Sequence, residues 1–258
     1  MAIAGLEFSK TLANVAHRAA DALHESAKAS YAGDEIDIAI ARFRAALSEF
    51  RFSVESQLLS DATRRIATGK YATAVAMIGR WINVSPEAVS RALQYSEESM
   101  KLGNVQPETL IYRLELLVQQ FDQTGDEQLL RDALKLLSAN QQIAEGSELA
   151  EAEARFRLAQ IAVSGSRDAR RFLAGAERLL RVGASLPRNG VEEARKRVLS
   201  VLIAETSSIS PRSVAIPRGL LAQMATRPSI ELWEAIRVRV RPVPSRNLSE
   251  FSSRYVSM

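Results

Sequence analysis

His17 and His24 are the only histidines in the chain, and with Asp21 they fall at i, i+4 and i+7. On a helix that spacing puts the three on one face, where they could hold a metal or pass a proton. No second carboxylate at ligand spacing accompanies them, and histidines on an alanine-rich helix read as exposed side chains, so no metal site is expected. Glu97-Glu98 and Glu148 with Glu151 are carboxylate pairs that read as ordinary helix charge. Ala67-Thr68-Gly69-Lys70-Tyr71 contains Gly-Lys but lacks the upstream glycine and the following hydroxyl of a phosphate loop. With no cysteine, thiolate nucleophiles, disulfides and thiolate metal sites are excluded. The expectation is a protein with no catalytic residues, no metal and no cofactor.

Arginine is the residue type that is concentrated. Residues 1–166 hold 17 Lys+Arg against 22 Asp+Glu, a balance of −5, whereas residues 167–258 hold 17 against 8, a balance of +9, and sixteen of those bases are Arg. Arg167, Arg170, Arg171, Arg178 and Arg181 form a candidate basic ridge on one helix, continued by Arg195, Lys196 and Arg197 on the next. Guanidinium forks suit carboxylates and phosphates alike. The partner could therefore be an acidic protein surface, including the acidic half of a neighbouring copy, or nucleic acid. Few aromatics accompany the ridge and no nucleic-acid recognition motif occurs, which favours protein.

A second candidate surface lies near the end of the chain. Residues 211–258 hold five of the eight prolines and eight Arg with no Lys, against three acids. Residues 207–258 therefore read as an extended arm, distinct from a body spanning 1–206. Within the arm Ile236-Arg237-Val238-Arg239-Val240-Arg241 alternates apolar and basic residues, the one strand signal in the chain. A strand needs a sheet to pair with, most simply on another subunit. Trp233 just before it is an apolar anchor of the kind that dominates interfaces.

The elements that must carry these residues are helices. Ile36, Ile40, Phe43, Leu47, Phe50, Val54, Leu58, Ala62 and Ile66 keep a helical step throughout, which predicts one long helix from an Asp34 cap to about Thr68. Before it, Leu12, Val15, Ala16, Ala19, Leu23 and Ala27 form a small-residue face for close packing, with Tyr31-Ala32-Gly33 as the turn. Ser85-Pro86-Glu87 and Pro107-Glu108 open helices, and Gly103-Asn104 closes one. Thr124 with Glu127 resembles a capping box, and Ser147, Ser166 and Asn189 open the last three segments. The sum is an all-α body of about nine helices joined by short turns.

Gly33 recurs as Gly69, and Ala39-Ile40 recurs as Ala74-Val75, a period of about 35 residues that suggests stacked helix pairs. Gly69-Lys70-Tyr71, Ala74-Val75, Ile78 and Pro86 resemble a tetratricopeptide repeat in its turn glycine and aromatic, its small helix contact, its large apolar residue and its closing proline. The family's tryptophan and Leu-Gly are absent, and an irregular helical bundle stays open beside a tetratricopeptide-like solenoid. The resemblance implies a protein that binds other proteins through a concave groove, and no particular chemistry.

At 258 residues the chain can bury about 70% of its unfolded surface, and its mean hydropathy of −0.09 is that of an ordinary globular protein. No apolar run approaches the roughly 18 residues of a membrane span, and Met1 to Phe8 make a poor signal peptide. The expectation is an intracellular, non-enzymatic interaction or assembly protein that forms a homo-oligomer or larger assembly with other protein subunits, with no membrane partner. A nucleic-acid-packaging structural subunit is the alternative.

Overall fold

Short polar side chains and prolines set the helix starts. In the computed structural model, which describes residues 2–103, 106–143, 146–162 and 166–182 together with Lys196, Leu199, Ser200 and Ile203, eight α-helices follow one another and no strand occurs among the described residues. They are α1 (Ala2–Ala32), α2 (Ile36–Glu55), α3 (Asp61–Gly79), α4 (Pro86–Lys101), α5 (Pro107–Thr124), α6 (Glu127–Ala139), α7 (Glu148–Ile161) and α8 (Arg167–Val182), with a single 3₁₀ turn at Gln141–Ile143. Ser85 caps α4 by accepting from the Ala88 N–H at 3.3 Å, with Pro86 in the first turn, and Pro107 opens α5 in the same way. Lys196, Leu199, Ser200 and Ile203 are helical as well.

Four local expectations are overturned. The long helix from Ile36 to about Thr68 is two helices, because the chain turns at Gln57, whose φ is 57°, and restarts at Ser60, which caps α3 through the Thr63 N–H. The hydroxyl of Ser56 bonds to Ser53 O at 2.6 Å and accepts from Leu58 N–H, so side chain competes with backbone where the apolar step of four ran on unbroken. Asp34 does not cap α2: it takes the left-handed turn position (φ 62°) that an aspartate tolerates, and Glu35 precedes the helix. Thr124 ends α5 instead of boxing α6. Gly125 takes the left-handed position after it, and Asp126 caps α6 by accepting from Gln128 N–H at 2.9 Å. Gly69 is no turn glycine, since it lies inside α3, where a Cβ would stand 3.0 Å from Ser99 Oγ on α4 and 3.4 Å from Thr109 Oγ1 on α5.

The face of α1 also differs from expectation. Ala13, Ala16, Ala20 and Ala27 are buried against α2, while Leu12, Val15 and Ala19 are exposed. An alanine-rich helix has two apolar faces, and the one with the smaller side chains allows the closer approach.

The helices of the first two pairs run antiparallel, as His17–Phe50 and His24–Phe43 show for α1 and α2, and Arg65–Ser99 and Tyr71–Tyr95 for α3 and α4. The odd helices run parallel in one layer. Lys70 meets Asp21 and Glu25 while Arg80, further on, meets Tyr31; Gly69 approaches Thr109 while Ala76 O meets Gln119; Gly146 approaches Ile111 while Arg157 meets Asp122. Parallel alternate helices with antiparallel neighbours are compatible with a helical bundle and with a helical solenoid alike. The main core joins α1 to α6 around Phe43, Phe50, Trp81 and Tyr71. A second joins α7, α8, Leu199 and Ile203, with Val118, Phe121, Leu130, Ala154 and Leu158 bridging α5, α6 and α7.

Candidate functional site

The α8 helix divides its side chains sharply. Ser166 caps it through Ala169 N–H at 3.1 Å. Leu173, Ala176 and Leu180 are buried on Phe156 and Ala159 of α7 and on Leu199 and Ile203, and Ala169 on the same face of α8 is buried too. On the other side Arg167, Arg170, Arg171, Arg178 and Arg181 are all exposed, as their spacing requires once the apolar face is committed to the core. From Arg167 to Arg181 the ridge runs about 21 Å at 1.5 Å per residue. Arg181 pairs with Glu177 at 2.5 Å; the other four take part in no ion pair among the described residues. Arg155 of α7, held by Glu151 at 2.6 Å, lies across Gly175, where an added Cβ would come within 3.2 Å of its Cδ. Arg155 thus lies against α8 with its charge already paired, a contact that sequence reading did not include and that the absence of a side chain at Gly175 admits.

The other expected residues are placed less fully. Lys196 is helical and half-buried, while Arg195, Arg197, Trp233 and Ile236 to Arg241 lie outside the described residues, as does the whole of the expected arm.

The expectation that the histidines of this triad are exposed is overturned at His24, and Asp21 is tied to a lysine. His24 is buried, 1% exposed, with its ring edge-on to Phe43 and Phe50 and its Nδ1 3.4 Å from Glu25 Oε1. Burial lowers its pKa to about 4, helped by the nearby Lys70, with Glu25 opposing. The Lys70 ammonium donates to Asp21 and, at 2.8 Å, to Glu25, so a fixed cation stands where a metal would need these carboxylates. No group of three potential metal ligands occurs among the described residues. Of the carboxylate pairs, Glu97 is tied to Lys101 and Arg113, Glu98 to Arg64 and Glu151 to Arg155.

Two buried guanidiniums went unread in the sequence. Arg80 at the end of α3 is held by Glu115 of α5, donates to Tyr31 Oη at 3.1 Å, and stands 5.8 Å and 5.5 Å from the ring centres of Tyr31 and Tyr112. Arg157 of α7 reaches back to Asp122 of α5 through two hydrogen bonds of 3.0 and 3.3 Å. Burial pushes the Asp122 carboxyl up to about 6 although Arg157 opposes it. Thus α5 clamps α3 with one carboxylate and α7 with another, which fixes the stack on which α8 is mounted.

No family model, curated protein or solved structure matches the chain. No described helix is long and apolar enough to cross a membrane.

Proposed function

We propose that the protein is a non-enzymatic assembly subunit or scaffold, whose helical stack holds an arginine face against an acidic protein surface. The observation that carries this reading is the row of exposed guanidiniums on α8, four of them without an ion-pair partner among the described residues, on a helix whose opposite side is fully committed to the core. Arginine forks held on a rigid helix lose little entropy on binding carboxylates, and charge complementarity of this kind sets partner choice and association rate. The resemblance to helix-pair repeats, which serve protein recognition, supports the same conclusion.

The test is charge reversal in the full chain. Arg170→Glu with Arg178→Glu should leave helicity and melting temperature unchanged. Binding to an immobilised Asp/Glu-rich peptide, chosen as a carboxylate probe, should weaken at least tenfold by surface plasmon resonance. Unchanged peptide binding would refute the reading. Stronger binding of the wild type to single-stranded RNA than to the peptide, lost steeply with salt in anisotropy titrations, would replace it with nucleic-acid packaging.

A further inference from the structure

The exposed face of α1 carries Phe8, Leu12, Val15, Ala19 and Ala22 at i, i+4, i+7, i+11 and i+14, an uncharged stripe along one side of the helix. Phe8 is 70% exposed, Leu12 44% and Val15 57%, large values for side chains of this kind. Inside the stack each odd helix has odd neighbours on both flanks, as α3 lies between α1 and α5. The first helix meets α3 through Asp21 and Glu25, and the stripe lies on the side of α1 turned away from those carboxylates. A helix face that no described element covers is ordinarily polar, and this one is apolar.

The N-terminal part of α1 also has no cover from its own hairpin. His17 sits beside Phe50, so α2, which ends at Glu55, runs out near residue 12, and about ten residues of α1 project beyond it. A helical segment of that length is marginal in water without packing.

We infer that the occupant of this stripe is a second copy of the chain, its α1 lying antiparallel to the first about a two-fold axis near residues 12 and 13. Three features select that arrangement. The stripe grades from large side chains (Phe8, Leu12, Val15) to small ones (Ala19, Ala22), so antiparallel pairing seats Phe8 between Val15 and Ala19 of the second copy, where parallel pairing would set Phe8 against Phe8. Glu7 and Arg18 stand on the same flank of the stripe, and neither takes part in an ion pair among the described residues. The two-fold brings Glu7 of each copy to Arg18 of the other. Each projecting segment then lies along the covered part of the other copy's α1, so both are buried at once. The contact is isologous and closes at two copies. It is independent of the α8 reading, since it uses the opposite end of the stack.

The test is the mass of the full chain by sedimentation equilibrium across nanomolar to high-micromolar concentration. The wild type is expected to be a dimer at the upper end. Phe8→Lys with Val15→Glu, both at exposed positions, should give a monomer whose circular dichroism falls by no more than the helix content of the roughly ten projecting residues. Glu7→Arg should raise the dimer dissociation constant at least fivefold, and Glu7→Arg with Arg18→Glu should restore it, a rescue that only the crossed pairing produces. The Arg170→Glu, Arg178→Glu variant should dimerise as the wild type does. A wild type that stays monomeric, a Phe8→Lys, Val15→Glu variant that still associates, or a charge exchange that fails to rescue would each overturn the inference.

Discussion

Arg80 and Glu115 meet across α3 and α5 in a two-bonded fork, Nε to Oε2 at 2.8 Å and Nη2 to Oε1 at 2.5 Å, with the side chains 6% and 5% exposed. Removing one partner leaves the other buried and uncompensated. Glu115→Ala should therefore cost about 3–5 kcal/mol in urea denaturation, whereas Arg80→Met with Glu115→Leu should recover most of that loss. A double variant as unstable as the single one would mean that the fork itself, and not the cost of orphaning a charge, holds α3 to α5.

That fork was invisible in the sequence because periodicity assigns arginine to solvent. Arg80 follows an apolar helix and precedes Trp81, and Arg157 stands among Phe156, Leu158 and Ala159. Only the stacking of a third helix buries them. Where one residue does one local job, as in Ser85-Pro86-Glu87, or where one face is strongly apolar, as in α8, the reading needed no tertiary information. It failed at Ser56 to Ser60 because an apolar step of four ran on through a turn. It failed on α1 because Ala13-Ala16-Ala20 and Leu12-Val15-Ala19 are both apolar, and only the distance of approach of α2 chooses between them. That the α8 arginines face solvent was readable from the spacing of Ala169, Leu173, Ala176 and Leu180; the approach of Arg155 depended on Gly175 of the neighbouring helix.

His24 should make the α1–α2 hairpin sensitive to acid. Its folded pKa of about 4 lies below the ordinary 6.5, so the neutral ring's contribution is present above 6.5 and is lost as pH falls from there toward 4, by up to about 3 kcal/mol. The charges near the ring are Glu25 and Lys28 on α1 and Lys70 on α3, while α2 presents Phe43 and Phe50. Asp122 works in the opposite sense, because a carboxyl raised to about 6 gives stability at low pH that is lost as pH rises through 6. The His24 effect is accordingly read as a difference: the stability gap between His24→Phe and wild type should shift in favour of the variant by about 2–3 kcal/mol between pH 7 and pH 4.5. A gap independent of pH would mean that the ring titrates normally.

Gly69 is a packing glycine, and its substitution should show it. At an exposed helix position Gly→Ala gains about 1 kcal/mol. Here the new Cβ stands 3.0 Å from Ser99 Oγ, which donates to Arg65 O at 2.9 Å and cannot move freely. Gly69→Ala should give no gain, and Gly69→Val should cost about 1–3 kcal/mol by overpacking α3 against α4 and α5. A stabilised Gly69→Ala, seen as a raised melting temperature, would argue that α4 yields at this contact.

Neighbouring alanines on α1 give the most direct reading of its orientation. Ala20 is fully buried against α2, and Ala19, one residue away, is exposed on the stripe. Both are helix-interior alanines with the same propensity, so Leu at either changes little in an isolated helix. In the folded chain Ala20→Leu inserts three carbons where two backbones approach closely and should cost about 1–3 kcal/mol. Ala19→Leu should leave the unfolding free energy of the dilute monomer within about 0.5 kcal/mol. Measured by urea denaturation at concentrations below association, equal costs at the two sites would place the α1–α2 contact between them, and a larger cost at Ala19 would turn α1 onto the face that its larger apolar residues suggest.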